Sequence, residues 1–69
     1  MFVICIDTTG YEASLEARKV YRALEDEALT GRGLIRVVDE SGEDYIFPAS
    51  SFVEIEVPPE AEPAFAATA

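Results

Sequence analysis

Histidine and tryptophan are absent from this chain, cysteine and methionine occur once each, and lysine and arginine together number 5 against 14 aspartates and glutamates. Without histidine there is no ready base to activate a nucleophile, and the lone Cys5 excludes an intramolecular disulfide. Its place between Ile4 and Ile6 in an apolar run reads as a buried, inert core thiol. The shortage of basic residues leaves a net charge of -9, which repels phosphate backbones and counts against ordinary DNA or RNA binding. The apolar run at the start, Met1 to Ile6, is too short for a membrane span and carries no basic leader, so cytoplasmic residence is expected.

A chain of 69 residues makes one small domain, in which only roughly 60 % of the unfolded surface can be buried. Phe2 to Ile6 is rich in β-branched types and ends at the turn formers Asp7-Thr8-Thr9-Gly10, which predicts a strand followed by a loop. The loop continues to Glu16 and is polar except for Tyr11 and Leu15, which are placed to anchor it on the core. From Ser14 to Leu29 two patterns compete. Ala17, Val20, Tyr21, Leu24 and Ala28 fall at helical spacing among good helix formers, whereas Lys19 to Leu24 also alternates loosely as a strand would. Asp26 to Leu29, followed by Thr30-Gly31-Arg32-Gly33, reads as one helical turn stopped by glycine.

Gly33 to Pro48 holds two β-rich segments around Ser41-Gly42, the pattern of a hairpin. A two-residue loop would set Glu40 against Glu43 and Asp39 against Asp44, and like charges directly opposite are destabilising. A three-residue loop, Glu40-Ser41-Gly42 with Gly42 in the left-handed region, instead puts Ile35 and Val37 on one face with Tyr45 and Phe47. Pro48 ends that strand, Ala49-Ser50-Ser51 turns the chain, and Phe52 to Val57 alternates as a last strand. Pro58 to Ala69, rich in proline, alanine and glutamate, reads as a disordered tail.

Four carboxylates, Asp39, Glu40, Glu43 and Asp44, crowd the hairpin turn. Their spacing does not fit an EF-hand, and an exposed tip offers no pocket to raise a pKa, so neither metal binding nor acid-base chemistry is expected of them. Arg36, in mid-strand, is expected to pair with a carboxylate such as Glu54 or Asp44. Tyr11, Tyr21, Tyr45, Phe47 and Phe52 are more aromatic side chains than so small a core needs. Two or three of them would line an exposed groove whose acidic rim suits a basic partner.

Gly10-Tyr11-Glu12, Ser14-Leu15, Lys19-Val20-Tyr21, Arg36-Val37, the string Asp39-Glu40-Ser41-Gly42-Glu43-Asp44-Tyr45, Pro48 and Phe52 resemble a set of very short, uncharacterised bacterial and phage-borne proteins, over residues 2 to 56. Such relatives often have glycine or valine where this chain has Ala17, Arg18 and Ala23, so the resemblance implies a strand at Lys19 to Leu24. The order of elements is similar to the Src-homology-3-like small barrel, and Tyr45 to Val53 looks like its closing segment. Peptide-binding members of that architecture centre their groove on a tryptophan. This chain matches the groove only at Pro48 and, in place of a tyrosine, at Phe52, so a proline-rich ligand is not implied.

The expectation is therefore an all-β protein. Residues 1–57 would form a five-stranded antiparallel Src-homology-3-like barrel with at most one short helical turn, and residues 58–69 a tail. The alternative is an α+β fold with a helix at about 14–29 on a small sheet. The expected function is that of a non-enzymatic protein-interaction module without metal or cofactor, monomeric or weakly homodimeric, which binds neither nucleic acid nor membrane. Its candidate surface comprises Tyr11, Glu12, Asp39, Glu43, Asp44, Tyr45 and Phe52, facing a basic protein partner. The alternative function is an acidic mimic of nucleic-acid charge that blocks a basic DNA-binding surface. A mimic needs carboxylates in rows across one exposed face, and an interaction module needs an exposed aromatic patch.

Overall fold

The structure, a computed structural model, describes residues 1–39 and 41–66, with side chains described as far as residue 64. Five strands, β1 (Phe2–Cys5), β2 (Val20–Leu24), β3 (Leu34–Val38), β4 (Asp44–Pro48) and β5 (Phe52–Ile55), form one antiparallel sheet in the order β4-β3-β2-β1-β5. Helix α1 (Glu27–Thr30) lies between β2 and β3, a 3-10 turn (Ala49–Ser51) joins β4 to β5, and α2 (Glu62–Ala66) follows the sheet. None of these helices is long and apolar enough to cross a membrane.

The apolar run of β1 suits its place between β2 and β5: Val3 and Cys5 face the core, while Phe2 and Ile4, on the other face, stay half-buried. The competition between helix and strand after Ser14 is resolved at Arg18, a non-glycine residue at φ 67. A left-handed residue interrupts any helix running through it. Its N–H donates to the Cys5 carbonyl at 2.7 Å and the Cys5 N–H donates to the Lys19 carbonyl at 2.9 Å, so the chain is delivered to β1 as a strand. The α+β alternative is thereby excluded. Along β2, Val20 to Arg22 pair with β1, whereas Ala23 and Leu24 pair with Val37 and Arg36 of β3. The strand is thus shared between two halves of the sheet.

The hairpin has the three-residue loop: Val38 faces Asp44, Val37 faces Tyr45 and Ile35 faces Phe47. Gly42 sits at φ 84, the Asp39 N–H donates to the Glu43 carbonyl at 2.9 Å, and Glu40 itself lies outside the described residues. At the other end Pro48 and the 3-10 turn redirect the chain, and β5 runs antiparallel to β1 on the far side of the sheet. The expected five-stranded antiparallel all-β fold is present, and since no strand pairing joins β4 to β5 among the described residues, its barrel-like sheet does not close. The allowance of at most one short helical turn is also exceeded, by α1, α2 and the 3-10 turn.

One face of each strand supplies the core. Val3, Cys5, Tyr21, Ala23, Val37, Phe47 and Phe52 are joined by Leu15 from the long loop, with Ile35 packed against them. Among the described residues edge-to-face ring pairs run through this core, Tyr11 with Phe47 at 5.2 Å, Phe47 with Phe52 at 6.0 Å and Phe52 with Tyr21 at 6.3 Å. Each large apolar side chain buried in this way contributes about 1.5–3 kcal/mol. Beyond β5, where composition predicts disorder, Glu and Ala form the short α2 with Pro63 in its first turn, a position that needs no N–H donor. Pro59, Glu62 and Pro63 border a shallow cleft with Phe2 and Arg22. Residues 67–69 of the tail lie outside the described residues.

Candidate interaction surface

The loop between β1 and β2 is fixed by short-range bonds. Asp7 Oδ1 accepts the Thr9 N–H at 2.9 Å, and the Thr9 side-chain hydrogen bond, with this backbone bond second to it, holds the Asp7 carboxyl below its ordinary value. Gly10, at φ 86, turns the chain, and the Tyr11 carbonyl then accepts the Ser14 and Leu15 N–H groups at 2.9 Å each. The result drops Leu15 into the core and lays the Tyr11 ring edge-on to Phe47, at an interplanar angle of 81°. At the loop's far end the buried Tyr21 hydroxyl accepts the Glu16 N–H at 2.7 Å.

On β4, Tyr45 and Phe47 point to the same side, two residues apart. Phe47 is buried, but Tyr45 near the hairpin end is 48 % exposed and Tyr11 is 36 % exposed. The Tyr45 hydroxyl donates to Glu43 Oε2 at 2.7 Å. That bond, reinforced by the Glu43 charge, raises the Tyr45 pKa above its ordinary value of 10.0, because tyrosinate would lose the bond and face a carboxylate. Two half-exposed phenol rings thus lie beside the Phe47 end of the core, with Glu12 next to one and Glu43 and Asp44 next to the other.

Two residues expected on this surface are buried instead. Phe52 is only 7 % exposed and belongs to the core, because it opens β5 opposite Cys5. Asp39 is 8 % exposed and serves the turn: its Oδ1 accepts the Ser41 N–H at 2.8 Å and also the Ser41 hydroxyl. Asp44 stays at the surface but is paired with Arg36, whose Nη1 donates to Asp44 Oδ2 at 3.0 Å. The expected Arg36–carboxylate pair is therefore present with Asp44, and Asp26 supplies a second carboxylate at 3.2 Å. These two partners, Asp44 foremost, raise the Arg36 pKa further above its already high value. Among the described residues no three acidic or cysteine side chains converge as a metal site.

A groove of about 530 Å³ opens on another part of the molecule, between α1, β3 and the start of β5. Val3, Leu24, Leu34, Ile35 and Phe52 give it an apolar floor, and Glu25, Asp26, Glu27 and Glu54 stand along it. Glu54 is there because β5 alternates: it shares a face with Phe52 and pairs with Val3 across the ladder. Sequence reasoning missed this groove, since its lining is drawn from residues 1 to 54 and only the Phe52-to-Glu54 spacing hinted at a carboxylate on the inner face. Comparison of the chain with protein-family profiles, curated proteins and solved structures gives no match.

Proposed function

We propose that this protein is a non-enzymatic protein-interaction module whose surface around Tyr11 and Tyr45 binds a basic protein segment. The observation that carries the reading is the pair of half-exposed tyrosines beside the buried Phe47, edged by Glu12 and Glu43, with Asp44 already paired to Arg36. Phenol rings give a partner a large contact area with little rotamer entropy to lose, and carboxylates at the edge favour lysine and arginine and steer them in. The bond from Tyr45 to Glu43 helps by fixing the ring before any partner arrives.

The second reading, an acidic mimic of nucleic-acid charge, draws on the net charge of -9. Its carboxylates are spread over the long loop, α1, the hairpin, β5 and the tail, which favours it less than two half-exposed tyrosines favour an interaction module. Affinity capture from the native cell separates the two. The wild type and the variants Tyr45→Ala and Glu43→Gln are used as bait, and bound proteins are identified and quantified. A basic partner held by the wild type and reduced several-fold by either variant is expected. Partners that all bind both variants as well as the wild type refute the tyrosine surface. A DNA-binding protein released by added DNA would establish the mimic instead.

A further inference from the structure

We infer that the groove between α1, β3 and β5 is a second docking site, and that its occupant is a protein segment carrying one apolar side chain flanked by lysine or arginine. The floor, with Val3, Ile35 and Phe52 on it, is apolar and continuous with the core, and about 530 Å³ falls within the range that encloses a small ligand or an anchoring side chain. Along the margin stand Glu25 and Glu27, at the start of α1, and Glu54 on β5. Arg36 lines the groove, as does Met1, and Asp26 and Asp44 already share the Arg36 guanidinium. It therefore does not neutralise the three glutamates.

A concave apolar surface with carboxylates of one sign at its edge concentrates the field where a ligand would enter. That arrangement selects against phosphate and against a second copy of this acidic chain, and it selects for a cation on each side of an apolar anchor. The groove shares no side chain with the Tyr11 and Tyr45 surface, so either site can fail without the other.

The test is an amide-resolved NMR titration of the full chain with a capped peptide that has a central leucine and two basic residues on each side. Saturable shifts are expected at Val3, Leu34, Ile35 and Phe52. Replacing the peptide's leucine by alanine should weaken binding about five-fold, in line with loss of a buried anchor. Combining Glu25→Gln, Glu27→Gln and Glu54→Gln should weaken it about ten-fold, as should raising salt from about 0.05 M to about 0.5 M. All three glutamates are exposed, and the same spectra report whether the variant keeps its fold. Equal binding by wild type and the triple variant overturns the inference. Shifts confined to Tyr11 and Tyr45 overturn it too, while supporting the tyrosine surface. Groove shifts that grow with protein concentration before peptide is added assign the site to a second copy and overturn it as well.

Discussion

Removing the ring pair between Tyr11 and Phe47 tests both the fold and the proposed surface, because the pair is what holds the first tyrosine against the core. The perturbation is a double-mutant cycle of Tyr11→Leu, Phe47→Leu and the two combined. Phe47 is 3 % exposed and its ring meets Tyr11 at 5.2 Å and Phe52 at 6.0 Å. An edge-to-face pair contributes about 0.5–1.5 kcal/mol beyond the area it buries. A change of shape in a packed core costs about 1 kcal/mol more. Phe47→Leu should therefore destabilise by about 2–4 kcal/mol, losing two ring contacts. Tyr11→Leu, at a half-exposed position with one contact, should cost about 0.5–1.5 kcal/mol. The double variant should fall short of the sum by about 0.5–1.5 kcal/mol, since the shared contact can be lost only once. A domain of this size has a total stability on the order of 4–10 kcal/mol, so most of these variants stay folded enough to measure. Urea denaturation with an unchanged slope gives the differences, and each kcal/mol should lower the Tm by about 4–8 °C. Strict additivity, within about 0.3 kcal/mol, would refute the ring contact in solution and leave the proposed surface with one ordered tyrosine.

Further outcomes follow from single positions. Gly42→Val should destabilise by about 1 kcal/mol or more, because a β-branched residue is strained at φ 84; urea midpoints decide it. Arg18→Gly should stabilise by up to about 1 kcal/mol by relieving the left-handed backbone at φ 67, and a lowered melting temperature would contradict that geometry. Asp26→Ala removes both the acceptor for the Ala28 N–H at the start of α1 and one carboxylate of Arg36; a loss of about 1 kcal/mol is expected from the cap, with little added by the partly exposed ion pair. For Tyr45 the raised pKa means that its contribution to stability is fully present below the ordinary value of 10.0 and is lost as pH rises through the folded value. Titrating the tyrosine ring signals should therefore show Tyr45 ionising above that value, and Glu43→Gln should bring it back down.

The legible parts of the fold were those governed by local rules. The three-residue hairpin loop followed from the repulsion between Asp39 and Asp44 in the other register, and the turn of α1 from Asp26 and the glycines behind it. Leu15 and Tyr11 read as loop anchors because they were the only large apolar side chains in a polar stretch. Residues 17 to 28 could not be read from periodicity, since one left-handed backbone at Arg18, invisible in composition, cancels a good helical pattern. The failure to close was equally hidden, because it depends on which neighbour β5 pairs with and not on the residues of β5. Among the candidate surface residues, Tyr11, Glu12, Glu43, Asp44 and Tyr45 lie outside the core, whereas Phe52 and Asp39 were misread. An aromatic can equally be core, and an aspartate before Ser-Gly can turn inward to accept the bonds of its own turn.

Cys5 turns the burial of β1 into a measuring device. Its sulfur is fully covered, it is the single thiol of the chain, and its strand is held by β2 on one side and β5 on the other. No thiol reagent can reach it until the strands or the long loop packed around it open. The rate at which it is alkylated in the unmodified protein therefore counts openings of the sheet, and where reclosing outruns the reagent it reports the free energy of that opening directly. A partner that clamps β5 would slow the reaction, whereas one resting on the hairpin tip would leave it unchanged, so one natural atom distinguishes the two docking sites without a label.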